Sequence, residues 1–292
     1  MTEVRSLGTP AWRQAVTWLF VPGDRPDRFA KAAASAADRI VIDLEDAVAP
    51  GAKADARTKV VSWLDDGQER TWVRVNGAGT TWHARDLEAI SSLPGLEGVM
   101  LPRSEDPDHL AFVKRHIPET VGVIALIETA VGIVRANEIA ASGYVGRLAF
   151  GSIDYAVDIS ASETDEAMLM ARSLLVTASR AGGLPGPLDG VTIVTDDTDA
   201  IGREARRAKS LGFAGKMCIH PRQLGAVNAA FLADPAEVSW ARGLLDAVAA
   251  REAAGESAAA FQWQGAMIDR PVLARAHSIL ARVPGAADSP RR

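Results

Sequence analysis

Residues 121–151 read VGVIALIETAVGIVRANEIAASGYVGRLAFG. The first seven, Val121–Ile127, form a short, almost wholly apolar run without polar alternation. Ala130–Ala141 then carries a helical pattern, and Arg147–Gly151 is a second short apolar run. A strand, a helix and another strand in about 30 residues make a βαβ unit. Strands without alternation belong to a parallel sheet buried on both faces.

Working outward from this unit, the same alternation fills most of the chain. Further strands are expected at Thr17–Val21, Arg39–Leu44, Thr71–Asn76, Gly98–Leu101, Val191–Val194 and Ala214–Ile219. Helical patterns fall between them at Pro26–Ala37, Ala52–Asp65, Ala84–Ser91, Pro107–His116, Glu166–Ala181 and Asp197–Leu211. Pro26 suits the first turn of its helix. Eight strands alternating with helices predict an α/β fold of the (β/α)8 TIM-barrel type over residues 1–222. An open doubly wound sheet is the alternative, but the Gly-x-Gly-x-x-Gly turn that a dinucleotide-binding one shows after its first strand is absent. Too much chain follows for one closing helix. Residues 223–283 are expected to form a C-terminal helical extension, with helices at Pro235–Ala250 and Pro271–Arg282 and a loop over Glu252–Gln264. Residues 284–292 are expected to be a disordered tail.

The 292 residues are 48% hydrophobic and 24% charged, which supplies a large core and excludes bulk disorder. With 37 acidic and 32 basic residues the net charge is -5, against a general nucleic-acid binder. The single Cys218 excludes an intramolecular disulfide and a Cys-rich zinc site, and is expected to be a small buried residue. A lone thiol, no apolar leader and no membrane-length apolar run place the chain in the cytoplasm as an expectation.

A TIM barrel carries its chemistry at the C-terminal ends of its strands. There the sequence sets Asp43, Glu45 and Asp46 after strand two, Arg74 and Asn76 on strand three, and Arg103 after strand four. Glu128 follows strand five, Asp154 follows strand six and His220 follows strand eight. Five carboxylates on one rim repel one another unless a cation sits among them. Oxygen ligands without Cys favour Mg2+, with Mn2+ as a second choice. Glu128 and Asp154, on neighbouring strands, are the natural metal pair, with Glu45 and Asp46 holding metal-bound water. Plainer roles stand beside these. Asp43, Glu45 and Asp46 suit a cap for the Lys-rich and Arg-rich helix that follows. Glu128 suits a first helical turn, Asp154 a turn, and His220 a hydrogen-bonded rim position. Arg74, inside an apolar strand, requires a partner.

The segments LFVPGDRPDRFAKA, IVIDLEDAVAPGAKADAR, WVRVNGAG, ALIETAVGI, LAFGSIDYAVD, LDGVTIVTDD, GFAGKMCIHPRQ and GAMIDRPVLARA occur in order from about residue 17 to 282. Together they resemble the citrate lyase β-subunit family, with its malyl-CoA and citramalyl-CoA lyases, in the HpcH/HpaI aldolase superfamily. The resemblance implies a Mg2+-dependent carbon–carbon lyase. It would cleave a 3-hydroxy-acyl-CoA ester of the malyl, citramalyl or citryl type to acetyl-CoA and a keto acid, or run in reverse. It implies Glu128 and Asp154 as metal ligands, Asp43, Glu45 and Asp46 around them, and Arg74 facing the developing enolate oxygen. Phe20, Arg25 and Lys31 would hold CoA, and Ile153, Ile219 and His220 would complete the acyl-CoA contacts. Asp269, in GAMIDRP, would be the acid that the extension delivers into a neighbouring subunit of a homotrimer or hexamer. Its plainer role is a helix cap beside Pro271. Two other readings fit the same residues. One is a thioesterase, and the other is a non-autonomous subunit acting on a carrier-bound acyl group. Neither a nucleic acid nor a membrane is an expected partner.

Overall fold

Eight parallel strands close into a barrel in chain order. They are β1 (Thr17–Pro22), β2 (Arg39–Asp43), β3 (Thr71–Arg74), β4 (Leu96–Leu101), β5 (Gly122–Ile127), β6 (Arg147–Phe150), β7 (Leu188–Asp189) and β8 (Gly215–Cys218). β8 returns to pair with β1, Thr17 lying opposite Lys216. The structure is a computed structural model and describes residues 10–257 and 259–280. The predicted disordered tail and the last two residues of the predicted final helix lie outside the described residues.

Alternating strand residues separate two cores, as the two-residue strand period requires. Leu19, Val73, Val99 and Leu148 face the surrounding helices. Trp18, Trp72, Ile124, Leu126 and Met217 fill the barrel. Trp72 sits at the centre of that filling, with the Trp12 and Trp18 rings edge-on to it at 5.0 Å. Gly98 on β4 makes room for it, since a Cβ there would meet the ring at 2.3 Å. Tryptophans plug this end of the barrel, and the opposite, C-terminal end remains open for a site.

One strand departs from the sequence reading. Val191–Val194 was expected as the seventh strand, but β7 is Leu188–Asp189 and the VTIV run lies beyond it, with Ile193 68% exposed. The charge on Asp189 hid the strand. The carboxylate is buried because Arg172 Nε reaches one oxygen at 2.9 Å and Lys216 Nζ the other at 3.4 Å. Helices over Ser152–Asp158 and Leu224–Phe231 also went unread.

The chain parts into two compact units between Phe231 and Leu232. The sequence boundary at residues 222/223 therefore moves forward. Leu224–Phe231 packs on the barrel helix Thr198–Leu211 and belongs to the first unit. The second unit holds helices Pro235–Ala253 and Arg270–Leu280. Between them, the end of the expected loop forms β9 (Phe261–Trp263), which pairs with β10 (Ala266–Ile268) just beyond it as an antiparallel hairpin. Leu244, Phe261, Ile268 and Ala276 form its own small core.

Candidate active site at the barrel mouth

Asp43 ends β2 and Arg74 ends β3, and the two are register partners. Their side chains lie side by side as a consequence. Arg74 donates from Nε to Asp43 Oδ1 at 2.7 Å and from Nη2 to Oδ2 at 2.6 Å. The same two oxygens accept the amide N–H groups of Glu45 and Ala47. Asp43 thereby fixes both the guanidinium and the turn that carries Glu45 and Asp46. Arg74 Nη1 lies 2.9 Å from Glu45 and 3.8 Å from Asp46, and the guanidinium stacks over Phe20 at 5.1 Å. Burial opposes its charge, but Asp43, Glu45 and Glu128 outweigh that and hold its pKa above the ordinary value.

Glu128 directly follows β5 and is 3% exposed. Its Oε1 accepts the N–H of Arg103, whose φ of 46° turns the chain sharply after β4. Gly151, at the end of β6, is the residue that leaves Glu128 space, because a Cβ there would lie 2.6 Å from its carboxylate. Burial, with Asp154 nearby, pushes Glu128 up to about 7. Asp154 sits in the first turn of Ser152–Asp158, and burial followed by Asp46 raises its pKa too. Burial also pushes Glu45 up to about 8, against the pull of Arg74, whose Nη1 faces its buried Oε2 at 2.9 Å.

Apart from Glu45, which pairs with Arg74 and lies outside the lining, these groups share one cavity of about 300 Å3. Asp43, Asp46, Arg74, Glu128 and Asp154 are its charged lining, and Phe20, Leu126, Ile153, Val191, Met217 and Ile219 its apolar lining. Carboxylates driven up by burial and by one another are the donor set a hard divalent cation relieves. Among the described residues no three His, Cys, Asp or Glu side chains are arranged to hold a metal unaided. Glu128 and Asp154 offer two oxygens sources, which fits Mg2+, an ion that keeps water and substrate oxygens in its remaining positions.

The other expected residues lie elsewhere. Arg25 and Lys31 are exposed and outside the cavity lining, and Arg25 pairs with Asp27 at 3.0 Å. His220 makes a local contact. Its Nδ1 accepts the N–H of Arg222 and caps the turn Pro221–Gln223. Asp269 is exposed in the second unit, where its Oδ1 accepts the N–H of Val272 at 3.2 Å. Cys218 is buried, and burial pushes its thiol up to about 12, so it is no nucleophile. Leu126, Val191 and Met217 were not read as site residues, because an apolar wall looks like core in a sequence.

The HpcH/HpaI aldolase/citrate lyase family model matches residues 16–221, the barrel and its mouth. This chain belongs to that family. A citrate lyase subunit beta-like protein of Mycobacterium tuberculosis is 40% identical over 273 residues, covering 91% of this chain and 94% of the relative. The mitochondrial citramalyl-CoA lyase of Rattus norvegicus is 30% identical, with 92% of this chain and 85% of the relative covered. Among solved members of the family, the CitE protein of Mycobacterium tuberculosis in complex with magnesium, acetoacetate and coenzyme A superposes with a TM-score of 0.79. It is 37% identical, and the match covers 92% of this chain and 98% of that one. Among the described residues no helix is long and apolar enough to cross a membrane.

Proposed function

We propose that this chain is a Mg2+-dependent lyase that cleaves a 3-hydroxy-acyl-CoA ester to acetyl-CoA and an α-keto acid, or joins them. The observation that carries the reading is the pairing of Glu128 and Asp154 with a buried, fully charged Arg74 in one cavity. The relative's complex with magnesium and coenzyme A supports it. Glu128 and Asp154 would hold the metal, with Glu45 and Asp46 towards its water. Bound there, Mg2+ supplies Lewis acidity to the carboxylate and hydroxyl oxygens of the substrate.

In the cleavage direction the substrate hydroxyl gives its proton to solvent water and becomes the keto group. The bond between C2 and C3 breaks, and its electron pair passes to C2 and the thioester carbonyl. Arg74 faces the oxygen on which that charge collects; a preorganised donor of this kind contributes about 3–4 kcal/mol of barrier lowering. Asp43 holds the guanidinium in place throughout. Asp269 gives C2 the proton that completes acetyl-CoA. Arg25 and Lys31 are basic groups for the CoA phosphates, and Ile153 and Ile219 contact the acyl portion. The extension serves a neighbouring barrel in a head-to-tail ring, most simply a trimer.

The test is the purified chain with Mg2+ and malyl-CoA or citramalyl-CoA. Acetyl-CoA and the keto acid are the expected products. Free CoA with the intact hydroxy acid would make the chain a thioesterase, and turnover only with a carrier-bound acyl group would make it a subunit of a larger complex.

A further inference from the structure

Beyond Asp189 and Lys216 the ladder between β7 and β8 ends, and the two chains diverge towards the cavity. Gln223 lies in the gap, 1% exposed. Its Oε1 accepts the N–H of Ile219 at 2.9 Å and of His220 at 3.2 Å, on the β8 side. Its Nε2 donates to the carbonyls of Thr192 at 2.7 Å and Val194 at 2.9 Å, on the β7 side. A primary amide has the donor and acceptor of a peptide group, so it replaces the missing rung between the separated chains. All four of its bonds are made in a buried position, where an unmade one is costly. Val191 and Ile219, which adjoin the bonded groups, both face the cavity.

We infer that Gln223 is a positioning residue, a clasp that holds Val191 and Ile219 as one apolar wall of the cavity that Glu128 and Asp154 also line. Its inference rests on the lyase reading for the identity of the ligand, but the clasp itself is a matter of the two loops. The wall contacts the acyl portion, and the metal pair sits on β5 and β6, outside the clasp. Loosening it therefore weakens substrate binding and leaves the metal requirement alone.

Gln223→Met keeps the length of the side chain and removes all four hydrogen bonds. Gln223→Glu keeps the acceptor for Ile219 and His220 and turns a carboxylate oxygen towards the two carbonyls. Either variant is expected to raise KM for the acyl-CoA about tenfold with kcat within about twofold, the signature of lost uniform binding. The Mg2+ concentration for half-activation stays at the wild-type value. Val191→Ala raises KM in the wild type and adds little in the Gln223→Met background, because the two act on one wall. Pyruvate binding in the presence of Mg2+, read by calorimetry, weakens in the same ratio and needs no turnover. If Gln223→Met does not fold, Gln223→Glu carries the test. Unchanged KM and unchanged pyruvate binding in an active enzyme overturn the clasp and leave the lyase reading standing, as do additive effects of Val191→Ala. A wild type without lyase activity, in which Gln223→Met still weakens pyruvate binding, overturns the lyase reading and keeps the clasp.

Discussion

Asp43 and Arg74 stand opposite each other on β2 and β3, and a two-pronged contact of 2.7 and 2.6 Å joins their side chains. Strand register thus sets where the guanidinium points. Asp43→Asn keeps the shape and removes the charge. It is expected to cost about 3 kcal/mol of stability, the scale of a buried ion pair broken on one side. It should also lower kcat about 100-fold through misplacement of Arg74. Urea unfolding and steady-state kinetics read the two losses. Arg74→Lys, lacking the planar fork, should lower kcat as well as kcat/KM. A changed KM with unchanged kcat would assign Arg74 to binding alone.

Glu128→Gln and Asp154→Asn each remove one of the two carboxylates proposed to hold the metal. Both variants should fold, because the substitutions preserve shape and relieve repulsion. The Mg2+ needed for half-activation should rise at least about tenfold, since even outer partners of a bound metal contribute that much. Activity measured against Mg2+ concentration checks this. A variant that keeps wild-type activity at limiting Mg2+ is not a ligand.

Asp269 is tested by mixing. Asp269→Asn and Arg74→Ala should each be nearly inactive alone. Refolded together in equal amounts, they should regain about a quarter of wild-type activity, because two independent chances of one half multiply in each shared site of a ring. Subunit exchange that restores nothing would leave Asp269 as the cap of its own helix.

Asp189 predicts an acid limb in the stability curve. Burial opposes its charge, but Lys216 and Arg172 prevail and hold its pKa below the ordinary carboxylate range. A pKa depressed in the folded state gives stability that is complete above the unfolded value of about 4 and is lost as pH falls through the folded one. Asp189→Asn should cost about 3–5 kcal/mol at pH 7 by leaving two buried cations short of their partner. It should also flatten the curve below about pH 4. Unfolding free energies measured by urea from neutral to acid pH decide the matter, and parallel curves for both proteins would refute it.

The carboxylates at the strand ends were legible because a barrel displays them at fixed points of its pattern. Glu128 after β5 and Asp154 after β6 arrive in one cavity, as their places in the sequence led us to expect. Asp43 is different. It was read with Glu45 and Asp46 around a metal, whereas both its oxygens are taken up by Arg74 and two backbone amides. Which carboxylate an arginine selects depends on strand register, and register has no local signature. The hairpin of β9 and β10 was hidden by the Ala, Gly, Ser and Gln residues around it.

By itself the sequence determined the alternation of strand and helix, the closed barrel, the family and the charged residues of the mouth. Periodicity and strand-end position are local properties, written residue by residue. Only the tertiary structure decided the seventh strand, the extent of the barrel unit and the apolar wall. Asp189 joins a strand because Arg172 and Lys216, distant in the chain, offset the cost of burying it. Val191–Val194, with every local mark of a strand, lies outside the sheet, and Gln223 from beyond β8 takes the carbonyls of Thr192 and Val194. Hydrogen bonds between residues far apart in sequence overrode local preference at both places, because a buried polar group must find its partner wherever the fold supplies one.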